Sequence, residues 1–285
     1  MKHSKGIMAK IGIVDFINTA PVAETWKRTV SDENWEMVEG SPASLSRKLS
    51  DGLLDLGIIS SYAYALHPDK YKILSGLSIS ANGSAGSAGS AFLFSHVPLD
   101  QLDQASILLN SQCETSIALV KIILEEFKGV TPEYTVSDAT SVEIDQHKAC
   151  LVSGDEALRL VAKSTYLYQF DLADIWKRET GLPFVFGVCA VLENFCLQHQ
   201  EITDRIHKEL LRCRDEGIDS LKEICCIAAA RIPMPVSSCI EYLQTIEYDL
   251  GAQKQKALVA FFDLLIKRGE IEENALPLKM YSNLF

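Results

Sequence analysis

Short apolar runs alternate with helix-like stretches through the first two-thirds of this chain, and that alternation constrains the fold more than any other feature. Residues 10–14, 54–59, 72–77, 91–95, 105–109, 133–136, 149–152 and 183–191 read as strands. Helical segments lie between them. One opens at Pro21, because proline suits the first helical turn. A second starts after Ser41 and runs to Leu49, with Ser41 as its N-cap. A third covers 115–127, where Ile117, Val120, Ile123, Leu124 and Phe127 share one face. Others open at Gly154-Asp155 and cover 172–179, the latter stopped by Gly181. Strands and helices in this order imply parallel sheets with right-handed crossovers. From residue 201 the pattern changes, and 201–217, 219–230, 236–245 and 252–268 all read as helices. The chain is α/β first and then mostly α.

The chain has 285 residues, enough for about two domains at roughly 150 residues each. Its 27 basic and 38 acidic residues leave a net charge of −11. No basic patch interleaved with aromatics offsets that charge, which argues against nucleic acid and against an anionic membrane surface as partners. No apolar run approaches the roughly 20 residues of a membrane span. The first 16 residues carry basic groups but no apolar core followed by a cleavage site. The expected location is the cytoplasm, where the 8 cysteines stay reduced. None forms a C-x-x-C pair, and no zinc spacing, nucleotide loop or flavin motif is present, so no cofactor is expected. Cysteines in apolar runs read as small buried hydrophobes.

Where strands end, polar residues follow: Asn18-Thr19, Ser60-Ser61, Ser111 to Ser116, and Ser153-Gly154-Asp155. In an open α/β sheet, ligands bind at the carboxyl ends of strands. Hydroxyls, an amide, glycine and helix N-termini are a receptor for an anion such as a carboxylate or phosphate. Each Ser or Thr alone reads equally as an N-cap. Asp155 is a base, an electrostatic stabiliser, or a cap that favours the helix dipole. His96 and His147 read as surface or hinge residues. Trp176 and Tyr62, Tyr64, Tyr166 and Tyr168 form either an apolar wall or core. The Gly/Ser stretch at 80–91 is a flexible loop or a close backbone approach to a ligand.

The segments GIVDFINTAPV (12–22), CETSIAL (113–119), VSGDEAL (152–158) and FDLADIWKRETGLPFVFGV (170–188) resemble, in this order, the chorismate dehydratase family of the futalosine route to menaquinone. The resemblance implies an α/β, two-lobed type II periplasmic-binding-protein-like fold with a ligand cleft between the lobes. Residues 1–95 and 190–285 would form the first lobe, and 96–189 the second. The implied reaction is a hydro-lyase step, from chorismate to 3-[(1-carboxyvinyl)oxy]benzoate and water, with a small dianionic substrate and no cofactor. Asn18 matches the family's cleft asparagine and would bond the reacting ring substituents. Ser90, Thr115, Ser116, Gly154 and Asp155 match its substrate-binding positions, and Ser60 joins them from its place at a strand end. The chain departs from the family pattern at Glu114, where arginine is usual, at Ala63 for glutamate, Cys189 for tryptophan and Leu192 for a basic residue. Its 80–91 loop is also about three residues longer, by the same comparison. Two other readings stand beside this one. One is an enzyme like the 1,4-dihydroxy-6-naphthoate synthases, which use a histidine base that has no match here. The other is a non-catalytic small-anion solute-binding protein.

Overall fold

The 10–14 run becomes a central strand because its side chains are apolar on both faces. We describe a computed structural model over residues 8–83, 91–137, 146–163, 166–232 and 234–281. In strand β1 (Ala9–Val14) every residue but Lys10 is buried, as expected where helices cover both sides of a sheet. β1 lies between β2 (Trp35–Gly40) and β3 (Leu56–Ser60), parallel to both. The helices α1 (Ala20–Thr29) and α2 (Pro42–Ser50) make the crossovers. Ser41 caps α2 by accepting the Ser44 N–H at 3.3 Å, as its position predicts. A short helix, α3 (Ser61–Leu66), leaves the end of β3 and leads to β4 (Tyr71–Ala81).

After β4 the chain enters a second sheet. This sheet holds β5 (Ala91–Ser95), β6 (Ser106–Asn110), β7 (Glu133–Ser137), β8 (Ala149–Ser153) and β9 (Tyr168–Asp171), in the order β7-β6-β8-β5-β9. Its helices are α4 (Glu114–Lys121), α5 (Asp155–Lys163) and α6 (Leu172–Thr180). Asp171 caps α6 by accepting the Ala173 and Asp174 N–H groups, and Gly181 ends it at φ +73° with its N–H on Lys177 O. The chain then returns to the first sheet as β10 (Phe184–Leu192), which inserts between β3 and β4.

The parallel-sheet expectation holds for β2-β1-β3 and for β7-β6-β8 but not throughout. β10 is antiparallel to β3 and β4, and β5 is antiparallel to β8 and β9. These two strands arrive from the other sheet, so no βαβ crossover fixes their direction. The predicted 115–127 helix is also corrected. α4 runs into a π-helical turn at Ile122–Phe127, and the wider turn buries Ile122, Ile123 and Leu124 in succession.

Helices α7 (Glu193–Gln198), α8 (Gln200–Asp219), α9 (Leu221–Ala228), α10 (Val236–Thr245) and α11 (Ala252–Lys267) complete the first lobe. Two-residue strands β11 (Ile246–Glu247) and β12 (Met280–Tyr281) pair with β4. The core joins both lobes. Trp176 from α6 packs edge-on against Phe184 of β10 and Phe261 of α11, and its indole N–H donates to Pro183 O at 3.0 Å. Among the described residues no single helix is long and apolar enough to cross a membrane.

Candidate functional site

The carboxyl ends of β1, β3 and β8 meet the first turn of α4 across one cleft. Val14, Phe16, Asn18, Thr19, Ser60 and Phe186 line it from the first sheet, and Glu114, Thr115, Ser116, Ser153 and Gly154 from the second. Past Val14 the chain folds back, because the Thr19 hydroxyl is held between the carbonyls of Val14 and Phe16. That turn carries Asn18 to the cleft. Asn18 is only 6% exposed, and its Oδ1 has no hydrogen-bond partner among the described residues. An unpaired buried carbonyl oxygen costs free energy unless a ligand or water donates to it.

Ser60 does two things. Its Oγ accepts the Ala63 N–H at 3.2 Å, capping α3, and lies 2.7 Å from Thr115 Oγ1 across the cleft. Thr115 Oγ1 in turn accepts the Tyr62 N–H at 3.2 Å. Each oxygen thus accepts a backbone donor, and one of the two hydroxyl protons bridges the pair. The second proton is available to an acceptor in the cleft. Beside them Ser153 Oγ donates to Ser116 Oγ at 3.0 Å. Thr115 and Ser116 occupy the first turn of α4, whose leading N–H groups have no acceptor within the helix and give that end a partial positive charge.

Asp155 is not bonded as a helix cap. Its Oδ1 accepts the Ile17 N–H at 2.8 Å, which ties α5 in one lobe to the turn after β1 in the other. Burial pushes its carboxyl above the usual range, the Ile17 N–H and Arg159 oppose that, and Asp15 reinforces it. Next to it Gly154 sits at φ +67°, and a Cβ there would fall 2.6 Å from the Phe16 ring. Only glycine combines that backbone with so close an aromatic neighbour. Ser41 Oγ donates to Gln112 Oε1 at 2.8 Å, a further bond between the lobes.

Charge in the cleft is unusual for an anion site. Among the described residues no lysine, arginine or histidine lines it. Glu114 does, and its Oε2 is buried with no hydrogen-bond partner. Burial raises its carboxyl above the ordinary value, with Arg47 acting in the opposite direction. Cys113, also at the cleft, is pushed up to about 11 by burial and is therefore a neutral thiol at physiological pH.

Asn18, Ser60, Thr115, Ser116 and Gly154 come together here, with Asp155 directly behind Gly154; Ser90 lies outside the described residues. Of the candidate aromatic wall only Tyr62 stays near, half-buried on α3 with its N–H on Thr115 Oγ1, and the rest is elsewhere. Trp176 and Tyr64 are core, Tyr64 stacking on Phe262, while Tyr166 packs on Phe94 and Tyr168 on Phe170. Phe16 and Phe186 take that place instead. Strand alternation gave no signal for Phe186, since it puts Phe186 on the same face as the core residue Phe184; the register of β10 against β4 shifts between Val185 and Gly187, and Phe186 is partly open at the cleft. His96 is exposed and His147 bonds Ser106 Oγ at 2.5 Å, both away from the cleft.

Comparison with known proteins gives a consistent picture. Residues 9–267 match a protein family described as menaquinone biosynthesis. The chain is 26% identical over 270 residues to a chorismate dehydratase of Thermus thermophilus, covering 90% of this chain and 94% of that protein. Three solved structures share its fold. A protein from Archaeoglobus fulgidus aligns at TM-score 0.64 and 18% identity, covering 94% of this chain and 100% of that one. The alkanesulfonate-binding protein of Xanthomonas axonopodis, bound to MOPS, aligns at 0.69 and 14%, covering 95% and 96%. A Candida albicans protein described as having the generic periplasmic-binding-protein fold aligns at 0.69 and 12%, covering 98% of each.

Proposed function

This chain belongs to the menaquinone-biosynthesis family, and from that premise we propose that it is a chorismate dehydratase, a carbon–oxygen lyase that converts chorismate to 3-[(1-carboxyvinyl)oxy]benzoate and water. The observation that carries this reading is the convergence of Asn18, Ser60, Thr115, Ser116 and Gly154 on one cleft.

The chemistry fits such a cleft. Chorismate carries two carboxylates, and hydroxyls beside a helix N-terminus suit one of them. The C3–H of the ring is acidified through the conjugated C1 carboxylate. Losing that proton and the C4 hydroxyl makes the ring aromatic, which supplies the driving force. The enolpyruvyl carboxylate hangs beside C3 and takes the proton, so the protein's task is orientation and charge stabilisation. Phe16 and Phe186 give the ring an apolar seat. Asn18 Oδ1, unpartnered and buried, accepts the ring hydroxyl's hydrogen and fixes the C4–O bond for departure.

The lobe division at 1–95 with 190–285, against 96–189, is part of the same proposal. The sheets support two lobes but shift both bounds: β5 (Ala91–Ser95) pairs in the second sheet and β10 (Phe184–Leu192) in the first, so the strands divide before Ala91 and before Phe184 and not at 95 and 189. A cytoplasmic location is proposed with it, supported by eight free cysteines of which seven are buried.

The test compares wild type with Asn18→Asp on chorismate, following the aromatic product by absorbance. Asn18→Asp keeps the shape and the Oδ1 acceptor but replaces the amide donor by a second oxygen and sets a negative charge against a dianion. It should remain folded by circular dichroism and lose roughly 10²–10³ in turnover. Wild-type turnover in the variant would refute the role of Asn18.

A further inference from the structure

Among the described residues Glu114 is the one carboxyl group lining the cleft. It opens α4 immediately before Thr115 and Ser116. Its Oε2 is sealed from solvent yet bonded to nothing among the described residues. It has no ion pair there either: the arginine that acts on it, Arg47, stands on the exposed face of α2. A carboxylate left this way is costly, whereas a carboxylic acid is a donor awaiting an acceptor. A second unpaired atom lines the same cleft, the Asn18 Oδ1, which can only accept. One donor and one acceptor, both unfilled, match a ligand group that does both. A hydroxyl does both; a carboxylate does not.

Resting on the proposed dehydration, we infer that Glu114 is a catalytic acid: it hydrogen-bonds the ring hydroxyl in the cleft and gives that oxygen its proton as the C4–O bond breaks. The ring hydroxyl donates to Asn18 Oδ1 and accepts from Glu114. The C3–H proton passes to the enolpyruvyl carboxylate, and the C3–H bonding pair becomes the new ring double bond. The C4–O pair leaves on oxygen, which takes the Glu114 proton and departs as water. The proton on the enolpyruvyl carboxyl then returns to Glu114 through that water, so the enzyme ends as it began. The sum is chorismate giving 3-[(1-carboxyvinyl)oxy]benzoate and water, with no other reactant.

The protonation state follows from the surroundings. Burial favours the neutral acid, while Arg47 from α2 and the positive end of α4 favour the anion. Tyr62 from α3 and Cys113 just before the helix also feel Glu114, and both have their own ionisation raised, so neither supplies a charge near neutral pH. Glu270 also acts on Tyr62, in the same direction as Glu114. The substrate decides the balance. Two carboxylates entering a cleft without a lysine, arginine or histidine in its lining repel a third negative charge, and the helix end then stabilises the ligand instead of Glu114. Binding therefore drives a proton onto Glu114.

Two measurements test this. Glu114→Gln keeps shape and hydrogen-bond donor but has no proton to give. Its kcat should fall by about 10²–10⁴-fold, with KM changed by less than about fivefold, and the loss of wild-type kcat at high pH should vanish from its profile. Titration calorimetry with the product, repeated across a range of pH in buffers of different ionisation enthalpy, should show proton uptake by wild type that rises toward one as free Glu114 ionises, and none by Glu114→Gln at any pH. Turnover within about threefold of wild type in Glu114→Gln, or no proton uptake by wild type, overturns the assignment. If Glu114→Gln fails to fold, the wild-type uptake and pH profile decide alone. Wild type that leaves chorismate unchanged refutes the parent reading and this step with it; an active wild type with an equally active Glu114→Gln refutes this step only.

Discussion

Substituting alanine for Gly154 separates two effects that a structure alone shows together. The first is local. At φ +67° an alanine pays for its Cβ whether or not the lobes are together, at about 1–2 kcal/mol. For a chain of this size each kcal/mol lowers Tm by about 2–4 °C. The second effect belongs to lobe closure. The added Cβ lies 2.6 Å from two carbons of the Phe16 ring, over an ångström inside ordinary contact, and that ring sits on the other side of the cleft. Relief requires Phe16 to move, and with it the turn that holds Asn18, or the lobes to part. Overpacking of this kind costs about 1–3 kcal/mol. When the lobes separate the clash disappears, so this cost falls on the closed form and on ligand affinity. Affinity for the product should therefore weaken by roughly 5- to 150-fold. Thermal melting without ligand and calorimetry with the product give the two numbers. A lower Tm with unchanged affinity would show that Phe16 and Gly154 do not meet in the ligand-bound state, and the account of closure would fail.

Replacing Thr115 and Ser116 together by alanine should weaken product binding by about 1.5–3 kcal/mol for each hydroxyl that meets a carboxylate, and calorimetry would read it. Equal affinity in the double variant would reduce both residues to partners of Ser60 and Ser153. Asp155 has a carboxyl raised by burial, so the folded state loses stability relative to the unfolded state as pH rises from the ordinary Asp value through the raised one. Asp155→Asn keeps an Oδ1 for the Ile17 N–H without that charge. It should be at least as stable as wild type at neutral pH, and the gap should close below about pH 4; a variant less stable at pH 7 would contradict this.

Much of the fold was legible because the buried strands announce themselves. The IGIV and LGII runs are apolar on both faces, and the sequence marks one helix start at Ser41 and one helix end at Gly181. Of the edge strands only β7 was legible. β2 reads WEMVEG with four residues half-buried, two exposed and none buried, and β9, β11 and β12 have four residues or fewer, too short for alternation to register. Strand direction was hidden as well, because direction depends on where the chain has come from and not on the strand's own residues. The polar cleft residues were readable from their positions after strands. What they bond was not: Asp155 looked like a cap and instead holds Ile17 across the cleft. Phe16 and Phe186 went unnoticed because an aromatic beside a strand reads first as core. Glu114 was visible as a missing positive charge, but its place in the cleft lining and its unpaired oxygen were not.

The most direct test follows chorismate by proton NMR in the presence of the purified wild-type protein. The account predicts that the ring signals of the cyclohexadiene disappear as those of a meta-substituted benzoate grow in equal amount, the enolpyruvyl methylene signals persisting. Chorismate that is bound yet recovered unchanged would make this a binding protein on the same fold and would contradict the account at its centre.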